Sequence, residues 1–218
     1  MNRFESWFCK ILFEPIVNRI LIKEVKGLEN VPKRNFILAA NHQSHLDEIA
    51  TGYVAVPKRF HFIGQTDRYH GLTKMFLDVI YFLAGVIPIN RKSEESKKKA
   101  FKKAIEVLKA GDVLIVYPEG TRSRTGKMGE GKPGVAKLFL ETGVPILPVG
   151  IKGTFDVWPP KGKLKMKRVV KINVGNLLDF KKEFKEAKKL ELNSKEYKDL
   201  SKKMTEHIME EIKNLIPE

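Results

Sequence analysis

Phe4, Trp7, Phe8, Ile11 and Leu12 recur at intervals of three and four residues, with Arg3, Ser6, Lys10 and Glu14 on the opposite side, the pattern of an amphipathic helix. Past Pro15 the apolar set becomes Ile16, Val17, Ile20 and Leu21, which rotates the stripe, and a proline there kinks a helix or opens a new one. Two short helical segments are predicted. Asn35 to Ala40 then reads as a buried strand, followed by a helix from about Ser44, a short strand near Arg59 to Ile63 and an apolar helix from about Thr73 to Leu83. Val86 to Ile89 reads as strand.

Ser93-Glu94-Glu95-Ser96 gives a clear helix start, with Phe101, Ala104, Ile105 and Leu108 as the buried stripe and Gly111 as the stop. Asp112 to Tyr117 is the next strand. Pro133-Gly134 leads into a helix through Leu140 that Gly143 ends, and Val144 to Ile151 forms a strand whose two prolines suggest an edge or a bend. A basic strand to Val174 and two charged helices, about Asp179 to Leu190 and Ser194 to Ile216, complete the chain.

Helix and strand alternate, so the expected class is α/β: a single domain with a mixed, mostly parallel sheet flanked by helices, plus an N-terminal amphipathic segment. The division follows: residues 1–22 as a helical membrane-docking segment and 23–218 as the α/β domain with its basic C-terminal helices. The 218 residues suffice for one sizeable core.

A formal net charge of +15 points to an anionic surface or ligand as partner. The single cysteine, Cys9, excludes an intramolecular disulfide and a cysteine-cluster metal site, which fits a reducing compartment. Glu5 and Glu14 interrupt the N-terminal apolar residues and no small-residue cleavage pattern follows, so no secretory signal is read. The longest apolar stretch, Val79 to Ile89, falls short of the ~20 residues a spanning helix needs.

Two short strings carry the chemistry. In Asn41-His42-Gln43-Ser44-His45-Leu46-Asp47, residues five apart on an ideal helix would point about 140° from each other, so His42 and Asp47 can meet only if His42 lies in the turn before the helix. Asp47 then reaches back to one imidazole nitrogen, fixes the tautomer and leaves the other nitrogen as a general base. Ser44-x-x-Asp47 is equally a capping-box-like helix start, in which the carboxylate merely satisfies backbone donors. His45 is an alternative base, and His42-x-x-His45 with Asp47 or Glu119 an alternative metal site, ranked low because no further histidine lies at ligand-like spacing. No metal is expected.

The second string, Tyr117-Pro118-Glu119-Gly120-Thr121-Arg122-Ser123-Arg124, follows an apolar strand and so falls where open α/β sheets bind ligands. Arg122 and Arg124 offer permanently charged forks for phosphate, Arg91 approaches from the strand ending at Ile89, and Lys132 is a further cation; solvated loop charge is the competing explanation. Gly129-x-Gly131-x-x-Gly134 matches a dinucleotide fingerprint only in letters, since it starts well after the strand ends. Gly126 to Lys132 fails as a P-loop because Pro133 replaces the magnesium-binding Ser or Thr.

Together, Asn41-His42-x-x-x-x-Asp47, Gly85-Val86-Ile87-Pro88-Ile89-Asn90-Arg91, Tyr117 to Ser123 and Val144-Pro145-Ile146-Leu147-Pro148-Val149 resemble, in order and spacing, the four blocks of the glycerolipid acyltransferases. The resemblance runs from about residue 24 to 175 and is nearest to bacterial 1-acylglycerol-3-phosphate acyltransferases. It implies transfer of a fatty acyl group from coenzyme A or acyl carrier protein to a lysophosphatidic acid hydroxyl, with no other cofactor and no covalent acyl-enzyme. By the same resemblance His42 is the base, Asp47 its support, and Arg91, Glu119, Gly120 and Arg122 belong to the acceptor and its phosphate. Thr121 and Lys132, neighbours of these, are added as substrate-binding candidates. The Val144 to Val149 block is tied to the acyl donor or to structure. Tyr117 stands where phenylalanine is commoner.

The residues support this chemistry on their own terms. A hydroxyl attacking a thioester needs a base near neutrality, worth on the order of 10² to 10⁴ in rate. With no G-x-S-x-G elbow and Cys9 far from both motifs, direct attack is favoured, although Ser44 and Thr121 remain alternative nucleophiles. A lysolipid tail costs roughly 10 kcal/mol to pull into water, so the enzyme goes to the lipid. Phe4, Trp7, Phe8, Ile11 and Leu12 suit insertion, and the lysines beyond Trp158 suit anionic lipid, with packing on the domain and simple solubilisation as the plainer alternatives. The expected location is the cytoplasmic face of the cell membrane, peripheral or monotopic. Other acceptors, such as glycerol-3-phosphate or another lysolipid, are the nearest rival; a basic nucleic-acid-binding protein is the rival of another class, with no module signature and no specific nucleic acid expected.

Overall fold

The computed structural model describes residue 7 and residues 9–65, 85–192 and 194–218. The helix expected over Thr73 to Leu83, and Phe4 and Phe8 of the N-terminal stripe, lie outside these residues.

A π-helical turn, Cys9–Phe13, runs into helix α1 (Glu14–Ile20) at the place where Pro15 rotates the apolar stripe. Strands β1 (Ile22–Lys26) and β2 (Ile37–Ala40) follow, then α2 (Asp47–Ala55), β3 (Phe60–Gln65), β4 (Val86–Ile89) and α3 (Glu94–Lys109). The chain continues through β5 (Val113–Val116), α4 (Gly134–Thr142), β6 (Ile146–Lys152), the short α5 (Thr154–Val157) and β7 (Val170–Val174) to α6 (Lys181–Ala187) and α7 (Lys195–Leu215). Ser93 caps α3 by accepting from the Ser96 amide, as Ser194 caps α7 by accepting from the Tyr197 amide. The stripe of α3 is centred on Ala100, Ala104, Val107 and Leu108, with Phe101 and Ile105 at its margins.

The strands form one seven-stranded sheet in the order β1-β7-β6-β2-β5-β3-β4. Every neighbouring pair is parallel except β6 and β7, so the class is α/β with a mixed, mostly parallel sheet. Because successive strand residues face opposite sides, Ile37 and Ala39 enter the core under α3, α4, α6 and α7, while Phe36, Leu38 and Ala40 enter the core under α2 and the end of α1. At Gly150 a side chain would meet the backbone of Leu215, so the glycine lets α7 lie directly against β6.

The edge position expected for β6 is not observed: the strand lies between β2 and β7 despite Pro148. Pro148 accepts from the Gly175 amide, and it faces the gap between the β7 ladder, which ends at Val174, and the bridge from Ile146 to Leu178, so no ladder bond needs its missing N–H. Ile22 is the first residue of β1, fully buried and paired with Val170, and Leu21 before it is already core.

Candidate active site

β2 and β5 are parallel neighbours, so the turns that leave their C-terminal ends emerge side by side. One carries His42 and the other Glu119 to Arg122. Asn41 fastens the first turn to β6: its side-chain amide donates to the Ile151 carbonyl and accepts from the Ile151 amide, both at 2.8 Å, which continues the strand pairing by one residue.

The chain then turns, and α2 begins at Asp47 with Leu46 as its cap position. His42 is therefore outside the helix and Asp47 in its first turn. His42 Nδ1 lies 2.9 Å from Asp47 Oδ2, and since an ionised carboxylate only accepts, Nδ1–H is the donor and the neutral ring keeps its lone pair on Nε2. Nε2 makes no hydrogen bond to a described residue. The same Oδ2 accepts from the amides of Gln43 at 2.5 Å and Ser44 at 2.7 Å, so the dyad and the capping reading coexist in one carboxylate. Among the described residues, the buried Oδ1 has no partner.

The second turn grips the first. Glu119 is buried, with Oε1 accepting from the His42 amide and Oε2 from the Gly129 amide, each at 2.7 Å. Burial pushes its carboxyl above the ordinary value, and the two amide donors only partly counter that. The Ser123 amide donates to the His42 carbonyl at 2.8 Å, so the His42 backbone is held from both sides. Gly120, at φ +67°, makes the intervening turn, and the Lys132 side chain passes within 3.3 Å of where its Cβ would stand.

Arg122 donates through Nε to the Ser44 carbonyl at 3.2 Å and through a terminal nitrogen to Glu48 Oε1 at 2.7 Å. Thr121 is exposed. Arg91 follows β4 on the same edge of the sheet but three strands from β2, roughly 14 Å at ordinary strand spacing. His42, Asp47, Glu119, Gly120, Arg122 and Lys132 thus form one cluster, with Arg91 at a distance along the rim.

Three partners were given no role in the site from the sequence. Tyr117 stacks on the imidazole with ring centroids 3.9 Å apart, and its hydroxyl, 2.9 Å from Thr51 Oγ1, is held well above its ordinary pKa by burial and by the Glu48 and Asp47 charges. Glu48 pairs with Arg122. Trp158 accepts through its carbonyl from the Ser44 hydroxyl, 2.6 Å away. Among the described residues, no group of three or more His, Cys, Asp or Glu side chains is arranged to hold a metal.

The family model for acyltransferases matches residues 23–152, which take in both turns and the sheet that presents them. The chain belongs to the acyltransferase family. This family member is 37% identical over 133 residues to a 1-acyl-sn-glycerol-3-phosphate acyltransferase of Borreliella burgdorferi, covering 60% of this chain and 51% of that protein. It is 30% identical over 164 residues to a chloroplastic 1-acyl-sn-glycerol-3-phosphate acyltransferase of Brassica napus, covering 72% of this chain and 45% of that one. The chain thus spans about half the length of these curated relatives. The crystal structure of the 1-acyl-sn-glycerophosphate acyltransferase of Thermotoga maritima superposes on this chain with a TM-score of 0.67 at 26% identity, over 97% of this chain and 77% of that one.

Proposed function

We propose that the chain transfers a fatty acyl group from the thioester of coenzyme A or of acyl carrier protein to the free hydroxyl of 1-acylglycerol-3-phosphate, giving phosphatidic acid. The observation that carries this reading is the 2.9 Å contact between His42 Nδ1 and Asp47 Oδ2 in a chain of the acyltransferase family.

The acceptor hydroxyl gives its proton to His42 Nε2 while its oxygen bonds to the thioester carbonyl carbon. The carbonyl π electrons move onto oxygen. On collapse of this tetrahedral adduct the carbon–sulfur bond breaks, and the imidazolium returns the proton to the departing thiolate, so base and enzyme are regenerated. Asp47 stabilises the transient imidazolium and holds its orientation. Glu119 and Ser123 hold the backbone from which the ring projects.

Arg122 and Lys132 supply the cationic side of the acceptor site. Arg122 uses Nε and one terminal nitrogen internally, which leaves its other terminal nitrogen for a phosphate oxygen. Arg91 extends this positive rim, and Gly120 and Thr121 line the turn. Trp7, Ile11, Leu12, Ile16 and Ile20 are large apolar side chains exposed in the N-terminal helical segment. They support docking as a peripheral or monotopic protein on the cytoplasmic face of the cell membrane, and no helix among the described residues is long and apolar enough to cross a membrane.

The test is an assay of purified protein with labelled acyl-CoA and, separately, labelled acyl carrier protein, against a panel of lysophospholipids and glycerol-3-phosphate, with product chromatography. His42→Ala is expected to lose about 10² to 10⁴ in turnover with an unchanged circular dichroism spectrum, and Asp47→Asn somewhat less. Normal turnover in His42→Ala would overturn the mechanism.

A further inference from the structure

The loop joining α5 to β7 takes no part in this chemistry, yet its composition is unlike that of a solvent loop. Every residue from Lys161 to Arg168 is exposed, and the lysines at 161, 163, 165 and 167 are interleaved with Leu164, 49% exposed, and Met166, 57% exposed. No Asp or Glu occurs between Asp156 and Asp179. Two large apolar side chains displayed between cations are poorly suited to water. They are well suited to an anionic bilayer, whose phosphates take the lysines while its acyl region takes Leu164 and Met166.

The loop is also fastened at both ends to elements that matter for a lipid reaction. At its start the Trp158 carbonyl accepts from Ser44 of the catalytic turn, and the Trp158 ring lies 4.8 Å from that of His45. The Lys165 amide donates back to the Val157 carbonyl, which closes the loop on itself. At its end Arg168 Nε donates to the carbonyls of Asn18 in α1 and Ile22 in β1. The interleaved lysines and apolar side chains therefore stand between the amphipathic N-terminal segment and the His42 turn.

We propose that the 158–168 loop is a second membrane-docking element, which inserts Leu164 and Met166 into an anionic lipid surface and sets the His42 turn over the lipid headgroups. It rests on the reading that the acceptor is a membrane lipid. A nucleic acid would use the lysines but leave Leu164 and Met166 without a role.

The test uses the full chain and vesicles of phosphatidylcholine with and without phosphatidylglycerol, read by co-sedimentation. Leu164→Glu/Met166→Glu is expected to lower partitioning into both vesicles by at least roughly tenfold, and the milder Leu164→Ser/Met166→Ser by a fewfold. Lys163→Gln/Lys165→Gln/Lys167→Gln should weaken binding to the anionic vesicles alone, as added salt should for the unaltered protein. All three should retain acylation of a short-chain acceptor dissolved as monomers. Partitioning of the Glu pair like the unaltered protein overturns the proposal. Loss of the short-chain activity overturns it too, because the loop would then belong to the reaction site. Unchanged vesicle binding with selective loss of acylation from acyl carrier protein would assign the loop to a protein partner and equally overturn it. If the unaltered protein acylates no acceptor, that failure falls on the reaction, while the partitioning ratios still decide the docking surface.

Discussion

The Tyr117 ring lies almost parallel to the His42 imidazole, 9° off and 3.9 Å away, which places a π face against the ring that would become cationic in the proposed reaction. Its hydroxyl meets Thr51, whose own hydroxyl donates to the Asp47 carbonyl at 2.8 Å. Tyr117→Phe keeps the stack and should stay within about threefold of normal kcat, at a stability cost of about 1 kcal/mol for the lost hydrogen bond. Tyr117→Leu removes the π face and should lower kcat by roughly tenfold. Steady-state kinetics with urea unfolding of both variants checks this; equal kcat in Phe and Leu variants would remove the stack from the mechanism.

Glu48 occupies one terminal nitrogen of Arg122, and in the proposed site the other faces the acceptor phosphate. Arg122→Ala should raise KM for the phosphate acceptor by about tenfold while moving kcat less, as expected when binding rather than the reacting geometry is lost. Glu48→Gln should move KM the opposite way. A kcat loss in Arg122→Ala with KM unchanged would place the residue elsewhere in the cycle.

Glu119 has a stability signature of its own. Burial raises its folded-state pKa above the ordinary 4.5, so the folded state holds this proton more tightly than the unfolded chain. The stabilisation is fully present below the ordinary carboxylate pKa and is lost as pH rises through the raised value. Glu119→Gln cannot titrate, and it leaves the amide of His42 or Gly129 facing a donor, a cost of about 1 to 3 kcal/mol. Urea unfolding from about pH 4 to about pH 8 should show the stability of the unaltered protein falling relative to Glu119→Gln, then running level. A difference independent of pH would remove the raised pKa from the account.

Removing residues 1–22 would cut Leu21 and Ile22 out of the core, so the informative truncation is shorter. Deletion of residues 1–13 removes Trp7, Ile11 and Leu12 and leaves α1 in place. Vesicle co-sedimentation should fall severalfold with the thermal unfolding midpoint within a few degrees, since the exposed residues contribute little to the core. Unchanged co-sedimentation would mean that the stripe serves another purpose.

Local patterns made much of this readable. The strand end at Ala40, the Ser93 cap and the distance from His42 to Asp47 all follow from short-range rules. That one-turn reach could be argued from helix geometry alone because it spans five residues. The Glu119 grip on the His42 backbone joins residues 77 apart and depends on β2 and β5 being neighbours, which periodicity does not encode. The stacking of Tyr117 and the Glu48 pair depend on the same adjacency. Pro148 misled for a related reason: a proline forbids a ladder bond only if a partner strand asks for one, and the partner's interruption after Val174 is remote information.

β7 is antiparallel to β6, so its first residues stand on the rim where β6 ends, and β1, parallel to β7, starts there too. With β7 turned the other way, the amino-terminal helices would hang from the far rim, a strand length of roughly 17 Å off. One reversed strand thus puts the amino-terminal helices on the rim that carries the His42 turn, so that in the proposed reaction an oily acceptor would meet the imidazole without its tail leaving the bilayer.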